Sequence, residues 1–201
     1  MQTPTLDVIK MTGGCTAVGI ARIMLKDRIL ILNAKRGQRS AFAQIYEKYW
    51  DSLLTVAVSL LADPEQAKDV VQDVFVKFVT LLGEFELRGT LKAYLATCVA
   101  NRARDRLREL ARHARVEQDC VDRLEASAAD LLVQNEQLRQ LARALVQLPY
   151  EQREVIALKI YGGLSFRAIA RELGIHLGTV QSRYRYGLDR LRTQLNGKVQ
   201  T

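Results

Sequence analysis

Residues 165–192 read SFRAIARELGIHLGTVQSRYRYGLDRLR, and this stretch decides the fold. Ser165 can cap a short helix, because its hydroxyl can accept a hydrogen bond from a free backbone N–H group of the first turn. Gly174 marks a turn, since the backbone there favours a positive φ that disfavours residues with a Cβ atom. Ala170, four residues earlier, is small enough to let two helices touch. With a second helix from about Leu177 to Leu195, the stretch predicts a helix-turn-helix.

The two sides of that second helix differ in chemistry. One side is apolar at spacings of four, four and three residues and consists of Val180, Tyr184, Leu188 and Leu191. The opposite and flanking positions carry hydrogen-bond donors and cations, namely Gln181, Ser182, Arg183, Arg185, Tyr186 and Arg190. Such side chains fit the base edges of a DNA groove. An ordinary helical hairpin with a solvated basic side is the alternative, and the combined Ala, Gly and apolar pattern favours DNA binding.

Helical periodicity also fills the chain before this motif. Apolar residues recur every three or four positions in residues 41–61, and Asp63 then forms a helix start that Gln66 can complete as a capping box. Gly83 lies where that helix can stop, and a third helix should cover residues 90–112. Alternating strand patterns are scarce. We therefore expect an all-α fold.

Charge divides the chain into segments. The 201 residues carry a formal net charge of +8, a balance that favours a polyanionic partner such as nucleic acid. Residues 35–115 and 138–201 carry +4 and +7, whereas residues 116–137 between them carry −5. We therefore expect two small helical domains joined by an acidic linker, after an N-terminal segment at residues 1–34.

Several classes of function are excluded by what the sequence lacks. Cys15, Cys98 and Cys120 are too far apart for a CxxC pair, and two histidines cannot complete a metal set, so we expect reduced thiols and no metal. No Gly-rich phosphate loop, GxSxG or HExxH motif occurs, so we expect no catalytic residue, no cofactor and no enzyme activity. Neither a membrane-spanning run nor a secretory signal is present, so we expect a cytoplasmic protein without membrane insertion.

A second basic feature is NRARDRLRELARHAR, residues 101–115. Four arginines recur at spacings of four, four and three and form one stripe: Arg104, Arg108, Arg112 and Arg115. A solvated face laced with Asp105 and Glu109 is the alternative. Phe85 and Tyr94 precede this segment, and aromatic rings beside cations suit unstacked single-stranded bases better than a closed duplex.

Three stretches, taken in order, resemble the extracytoplasmic-function group of sigma-70 family factors, small bacterial initiation subunits that keep only the region 2 and region 4 domains. Residues 63–78, DPEQAKDVVQDVFVKF, resemble the region 2.1–2.2 helix, and residues 91–108, LKAYLATCVANRARDRLR, resemble the region 2.3–2.4 helix. Residues 148–192, from LPYEQREV to LDRLR, resemble region 4. The resemblance covers roughly residues 36–195.

That resemblance implies a role for each segment. Residues 35–115 correspond to sigma region 2, which binds core polymerase and the minus-ten element, and residues 138–201 to sigma region 4, which binds the minus-thirty-five element. The linker at 116–137 threads the polymerase channel in the family, and a flexible spacer with no other task is the alternative. Residues 1–34 depart from the family and are expected to be an extension, with Met24 as an alternative start of the chain.

The family's contacts can be carried onto individual residues. The implied function is that of a bacterial transcription initiation factor, which binds core RNA polymerase and directs it to specific promoters. Asp69, Gln72 and Asp73 match the DxxQ(D/E)xF segment that docks on the polymerase clamp helices, and simple solvation of these residues is the alternative. Contacts to the minus-ten promoter DNA map onto Tyr94, Asn101, Arg102, Asp105 and Arg106. Contacts to the minus-thirty-five element map onto Thr179, Gln181, Ser182, Arg183, Arg185 and Tyr186. An anti-sigma factor is a further partner that the family implies.

Several residues depart from the family pattern. Tyr94 stands where the family very often has Trp, and Gln181 replaces a frequent Lys. Tyr186 and Gly187 replace the usual Arg-Ala pair, and His176 occupies a position that is commonly Pro. These departures bear on which promoter sequence is read.

A different class of function also fits part of the pattern. A helix-turn-helix transcriptional regulator would pair the same DNA-reading motif with an N-terminal sensor or dimerisation domain. Residues 63–108 discriminate between the two, because a sigma factor needs a polymerase-binding helix followed by a strand-reading helix, whereas a sensor needs a pocket.

Overall fold

The structure is a computed structural model that describes residues 17–87, 89–114 and 144–197. The described residues form helices and turns, without a β-strand among them, which confirms the predicted all-α class. The helices are α1 (Ala17–Lys35), α2 (Arg39–Leu61), α3 (Pro64–Leu81), α4 (Leu91–Ala114), α5 (Tyr150–Ile160), α6 (Phe166–Leu173) and α7 (Leu177–Gly197). Within these ranges no helix combines enough length with enough apolar character to cross a membrane.

The centre of the first group of helices is α2. Its residues Ile45, Leu53 and Leu60 are fully enclosed, because α1, α3 and α4 all pack around it. Phe78 of α3 and Leu95 of α4 complete this part of the core. Burial of each such side chain stabilises the fold by about 1.5–3 kcal/mol. The predicted spacing of apolar residues is therefore confirmed.

The start of α3 is capped by Asp63. Its Oδ1 atom accepts hydrogen bonds from the backbone N–H groups of Glu65 at 2.9 Å and Gln66 at 3.1 Å. The expected capping box does not form in full, because the Gln66 amide donates to Oδ2 of Asp63 at 2.9 Å instead of accepting from the Asp63 backbone. The carboxylate thus holds both the backbone and the side chain of Gln66.

A buried carboxylate fixes α1 on α2. Asp27 is 0% exposed, and it accepts hydrogen bonds from Lys48 Nζ at 2.6 Å and from the Tyr49 hydroxyl at 2.7 Å. Burial raises the pKa of Tyr49 far above its usual range, and the Asp27 charge adds to that shift. Ile31 and Ala34 are buried beside this cluster. Much of residues 1–34 that the structure describes is therefore packed onto the first group of helices.

The second group contains the predicted helix-turn-helix, formed by α6 and α7. Ser165 accepts a hydrogen bond from the backbone N–H of Ala168 at 3.1 Å, and Gly174 has a φ of +64°, as the sequence predicts. Gly187 has a further role, because a Cβ atom there would lie 2.6 Å from Cδ1 of Ile156. A side chain at position 187 would therefore force the end of the Ile156 side chain to move.

The two groups of helices share one apolar core. α5 lies against α2 and α4, and its residues Val155, Ala157 and Leu158 are buried in the same cluster as Leu95. Gly162, just after α5, lies so close to α4 that a Cβ atom would be 3.0 Å from Cβ of Ala96. The sequence predicts the two domains, but no pattern in it predicts this contact between them.

Candidate nucleic-acid interface

The outer side of α7 presents the residues assigned to the minus-thirty-five element. Val180 and Leu191 are buried and fix the rotation of the helix, so that its opposite side faces outward. Six predicted DNA contacts lie on that side or at its edge: Thr179, Gln181, Ser182, Arg183, Arg185 and Tyr186. Ser182 and Arg183 are half-buried, and the other four are exposed. Four of the six are thus accessible, whereas Arg183, three residues after the buried Val180, lies at the edge of this side.

Two neighbours on this surface contact each other. The guanidinium carbon of Arg185 lies 5.2 Å from the centre of the Tyr186 ring, and 54% of Tyr186 is exposed. Among the described residues neither Arg183 nor Arg185 pairs with a carboxylate. Their charges are thus free to meet phosphate or a base edge.

The turn before α7 shows what His176 does in place of proline. Its Nδ1 atom accepts a hydrogen bond from the backbone N–H of Gly178 at 3.1 Å. The first turn of a helix has N–H groups without a partner inside the helix. His176 satisfies one of them and so fixes where α7 begins.

An aromatic pair lies at the start of α4. The ring centres of Phe85 and Tyr94 are 4.7 Å apart, and Phe78 packs edge-on against Phe85 at 5.2 Å. Burial raises the pKa of Tyr94 to about 12, and contact with Cys98 adds to the shift. Tyr94 therefore stays a neutral phenol, with a half-buried ring held beside the loop that precedes α4.

The five residues assigned to the minus-ten element form two rows on α4. Tyr94, Asn101 and Asp105 share one row at spacings of seven and four residues. Arg102 and Arg106 lie on the neighbouring row and face α3, where they contact Asp73 and Gln66 respectively. The two rows are adjacent, so one nucleic-acid strand along α4 can contact both.

Among the described residues the predicted arginine stripe of α4 is interrupted at Arg104, whereas Arg108 lies on the solvated, carboxylate-laced face that was the alternative. Arg104 points to α5, where it donates a hydrogen bond and forms an ion pair with Glu154. Arg108 pairs with Asp105 at 3.5 Å, and Arg115 lies outside the described residues. The physical reason is that helical spacing fixes the direction of a side chain and not what stands opposite it.

The polar residues of α3 that were assigned to polymerase binding are accessible. Asp69, Gln72 and Asp73 are exposed, and the same row continues through the exposed apolar side chains of Val76 and Val79. An apolar centre beside polar residues is typical of a protein-binding surface. The α3 row thus has the composition that docking requires.

Three residues of these surfaces carry a role that the sequence does not indicate. Glu154 is buried directly before the apolar run of α5 that begins at Val155, and Glu109 accepts hydrogen bonds from both Arg102 and Arg106. Gly187 marks the close approach of α7 to α5. The one available signal is a charged or side-chain-free residue inside or next to an apolar helical pattern, which Glu154 and Gly187 both provide.

Comparisons with known proteins agree with this geometry. The family model Sigma-70 region 2 matches residues 45–113, and the model Sigma-70, region 4 matches residues 138–191. The chain is 30% identical over 163 residues to the ECF RNA polymerase sigma factor SigK of Mycobacterium bovis (strain BCG / Pasteur 1173P2), covering 79% of this chain and 87% of SigK. It is 26% identical over 189 residues to SigW of Bacillus subtilis (strain 168), covering 86% of this chain and 97% of SigW.

Solved structures give the same result. The sigma factor RpoE in complex with the anti-sigma factor NepR from Bartonella quintana matches with a TM-score of 0.67 and 28% identity, covering 77% of this chain and 96% of RpoE. CnrH in complex with the cytosolic domain of CnrY matches with a TM-score of 0.60 and 28% identity, covering 86% of this chain and 98% of CnrH. The chain therefore belongs to the extracytoplasmic-function group of the sigma-70 family of RNA polymerase sigma factors.

Proposed function

We propose that this chain carries core RNA polymerase to promoters through three surfaces on separate helices. Residues Asp69, Gln72 and Asp73 of α3 dock on the polymerase, residues 94–106 of α4 bind the minus-ten element, and the outer side of α7 binds the minus-thirty-five element. The observation that carries the proposal is the exposed row on α7, whose arginines lack carboxylate partners among the described residues. Membership of the sigma-70 family indicates that the ligand of these α7 residues is promoter DNA.

The minus-thirty-five element is read as closed duplex. A helix of this kind enters the major groove, and its N-terminal residues contact base edges. Gln181 and Ser182 lie in the first turns of α7 and can donate to and accept from bases. Arg185 and Tyr186 lie one turn further along, where the groove wall and its phosphates come close.

The minus-ten element is bound as opened DNA. Extruding a base from the stack costs a few kcal/mol, and stacking on an aromatic ring recovers about 1–3 kcal/mol. Tyr94, held against Phe85, supplies such a ring, while Arg102 and Arg106 lie one row away for the backbone phosphates. Promoter melting is then capture of a strand that has opened, and no catalytic residue is required.

The contact between the two groups of helices must open on a promoter. Minus ten and minus thirty-five are about 25 base pairs apart, which is roughly 85 Å along B-DNA. Because α5 packs against α2 and α4, the two DNA-reading surfaces are held together in one compact unit. At about 3.3 Å per residue, the chain at residues 115–143 can span roughly 95 Å, so it is long enough to let them separate.

Partners and location follow from this role. The matched RpoE and CnrH structures are complexes with the anti-sigma factor NepR and with the cytosolic domain of CnrY, and we infer an anti-sigma partner for this chain as well. The acidic residues 116–137 suit a positively lined channel of the polymerase. The chain acts in the cytoplasm, where polymerase and chromosome meet.

Reconstituted transcription tests the proposal. Core polymerase with the wild-type chain should initiate at defined promoters without another specificity subunit. Asp69→Asn should weaken co-purification with the polymerase, whereas the matched control Glu47→Gln removes one charge from an exposed residue of α2 and should not. Duplex binding without any polymerase association would instead identify the chain as a helix-turn-helix regulator.

A further inference from the structure

Arg102 lies between the proposed polymerase-binding and minus-ten surfaces. Its Nε atom donates to Oδ2 of Asp73 on α3 at 3.1 Å, and its Nη1 atom donates to Oε1 of Glu109 on α4 at 3.2 Å. Asp73 is one of the three residues assigned to polymerase binding, and Arg102 is one of the five assigned to the minus-ten element. One ion pair therefore joins the two sites.

Glu109 extends this cluster to a second arginine. Its Oε2 atom accepts a hydrogen bond from Nη1 of Arg106 at 3.3 Å, and Nε of Arg106 donates to Oε1 of Gln66 at 3.3 Å. Two carboxylates thus hold two guanidinium groups on the α3 side of α4. We call Asp73, Arg102, Glu109, Arg106 and Gln66 the α3–α4 clamp.

Charge strengthens the clamp in the free protein. The hydrogen bond that Arg102 donates to Asp73 is the main reason that the pKa of Arg102 lies above its usual range. The hydrogen bond that Glu109 accepts from Arg106 is the main reason that the pKa of Glu109 lies below its own. Both groups are therefore charged throughout the neutral range. A DNA phosphate that approaches Arg102 must compete with carboxylates already in place.

The ion pairs of the clamp are exposed enough for a competing charged group to replace them. The side chain of Asp73 is 56% exposed and that of Glu109 is 33% exposed, so neither ion pair is sealed from solvent. An exposed ion pair is worth about 0.2–1 kcal/mol, which a competing partner can replace. Under the proposed function, polymerase is such a partner for Asp73 and promoter DNA is such a partner for Arg102.

We propose that Asp73 restrains Arg102 until polymerase docks on α3, and that Glu109 competes with DNA for Arg102 and Arg106 in both states. This inference rests on the proposed function of α3 and α4. When the polymerase engages Asp73, that carboxylate leaves Arg102. The Nε–H group of Arg102 is then free to donate a hydrogen bond to promoter DNA. Docking on polymerase and binding of the minus-ten strand are thereby coupled through one side chain.

DNA affinity of the free protein and of the holoenzyme tests the coupling. The probe is a forked duplex with a single-stranded minus-ten segment, selected from a random-sequence pool by its binding to the free protein. In the free protein Asp73→Asn should raise the affinity about two- to fivefold, the factor that corresponds to an exposed ion pair. Asp73→Asn also weakens docking, so the holoenzyme comparison uses polymerase at a concentration at which native gels show each variant fully bound. There the gain over wild type should fall below twofold, because Asp73 has already left Arg102.

Two further variants sharpen the test. Glu109→Gln should raise the affinity in both states, because the polymerase does not engage that residue. Glu47→Gln removes the same charge from α2 and controls for long-range electrostatics, so it should change little in either state. In an Arg102→Ala background, Asp73→Asn should lose its effect, and circular dichroism confirms that each variant is folded.

The outcomes separate the inference from the proposed function. Equal gains for Asp73→Asn and Glu47→Gln, or a gain that persists undiminished in the holoenzyme, would overturn the coupling. If the wild-type holoenzyme fails to retain the probe, the proposed function is contradicted. In that event the free-protein measurements with the same probe still decide whether Asp73 competes with DNA for Arg102.

Discussion

Arg104 of α4 donates a hydrogen bond through Nη2 to Oε1 of Glu154 in α5, across the surface where the two groups of helices meet. Glu154 is 4% exposed, and the Tyr150 hydroxyl also donates to its Oε1 atom, at 3.2 Å. Burial raises the pKa of Tyr150, which keeps this hydroxyl protonated as a donor. The buried carboxylate thus receives one hydrogen bond from its own helix and one from α4.

Substitution of Arg104 should loosen that contact. Arg104→Met leaves the buried carboxylate of Glu154 with Tyr150 alone, and we expect a loss of about 1–3 kcal/mol in the free energy of unfolding. Urea unfolding measures the loss, and small-angle X-ray scattering should report a larger radius of gyration. Arg108→Met is the matched control, because Arg108 and Asp105 are 70% and 59% exposed and should contribute little. Equal losses for the two variants would contradict a specific role of Arg104.

Local features of the fold are predictable from sequence, and contacts across the chain are not. Asp63, Ser165 and Gly174 act within a few residues of themselves, so their patterns identify helix starts and the turn correctly. Arg104 and Glu154 are 50 residues apart, and no helical period connects them. The same is true of the candidate site. Helical spacing predicts which arginines of α4 share a side of the helix, but it does not predict which of them contact a carboxylate.

Gly187 should tolerate no side chain in the present packing. A Cβ atom there would lie 2.6 Å from Cδ1 of Ile156 and 3.3 Å from Cβ of Gln152. Alanine in a helix gains up to about 1 kcal/mol over glycine, but overpacking of a buried contact costs about 1–3 kcal/mol. We therefore expect Gly187→Ala to lower the melting temperature.

A second substitution can relieve that clash. Ile156→Val removes the Cδ1 atom, so Gly187→Ala should be less damaging in the Ile156→Val background than alone. Thermal unfolding of the four proteins of this double-mutant cycle measures the difference. Additive effects would show that the close approach of α7 to α5 does not limit the side chain at position 187.

Tyr94 should act through its ring and not through its hydroxyl. Tyr94→Ala removes a stacking surface worth about 1–3 kcal/mol, so promoter opening should fall roughly five- to a hundredfold. Tyr94→Phe and Tyr94→Trp keep an aromatic plane and should retain most of the activity. Permanganate reactivity of thymines in the minus-ten element measures opening, and polymerase co-purification of each variant checks that docking is intact. A defect in Tyr94→Phe as large as that in Tyr94→Ala would assign the role to the hydroxyl.

Along α7, the residues should divide into base readers and phosphate binders. Gln181 lies in the first turns, which approach base edges, so Gln181→Ala should relax sequence preference at one position by about 1–3 kcal/mol. Arg185 lies further along, so Arg185→Ala should weaken binding to every duplex and lower the salt slope of log K by about 0.9.

Arg192→Ala, at an exposed residue near the end of α7 that pairs with Asp189 at 3.9 Å, is the matched control and should change neither quantity. Fluorescence anisotropy with a promoter duplex and a scrambled duplex at several salt concentrations measures both. A sequence-dependent loss for Arg185→Ala with an unchanged salt slope would instead make Arg185 a base reader, because a phosphate contact carries no sequence information.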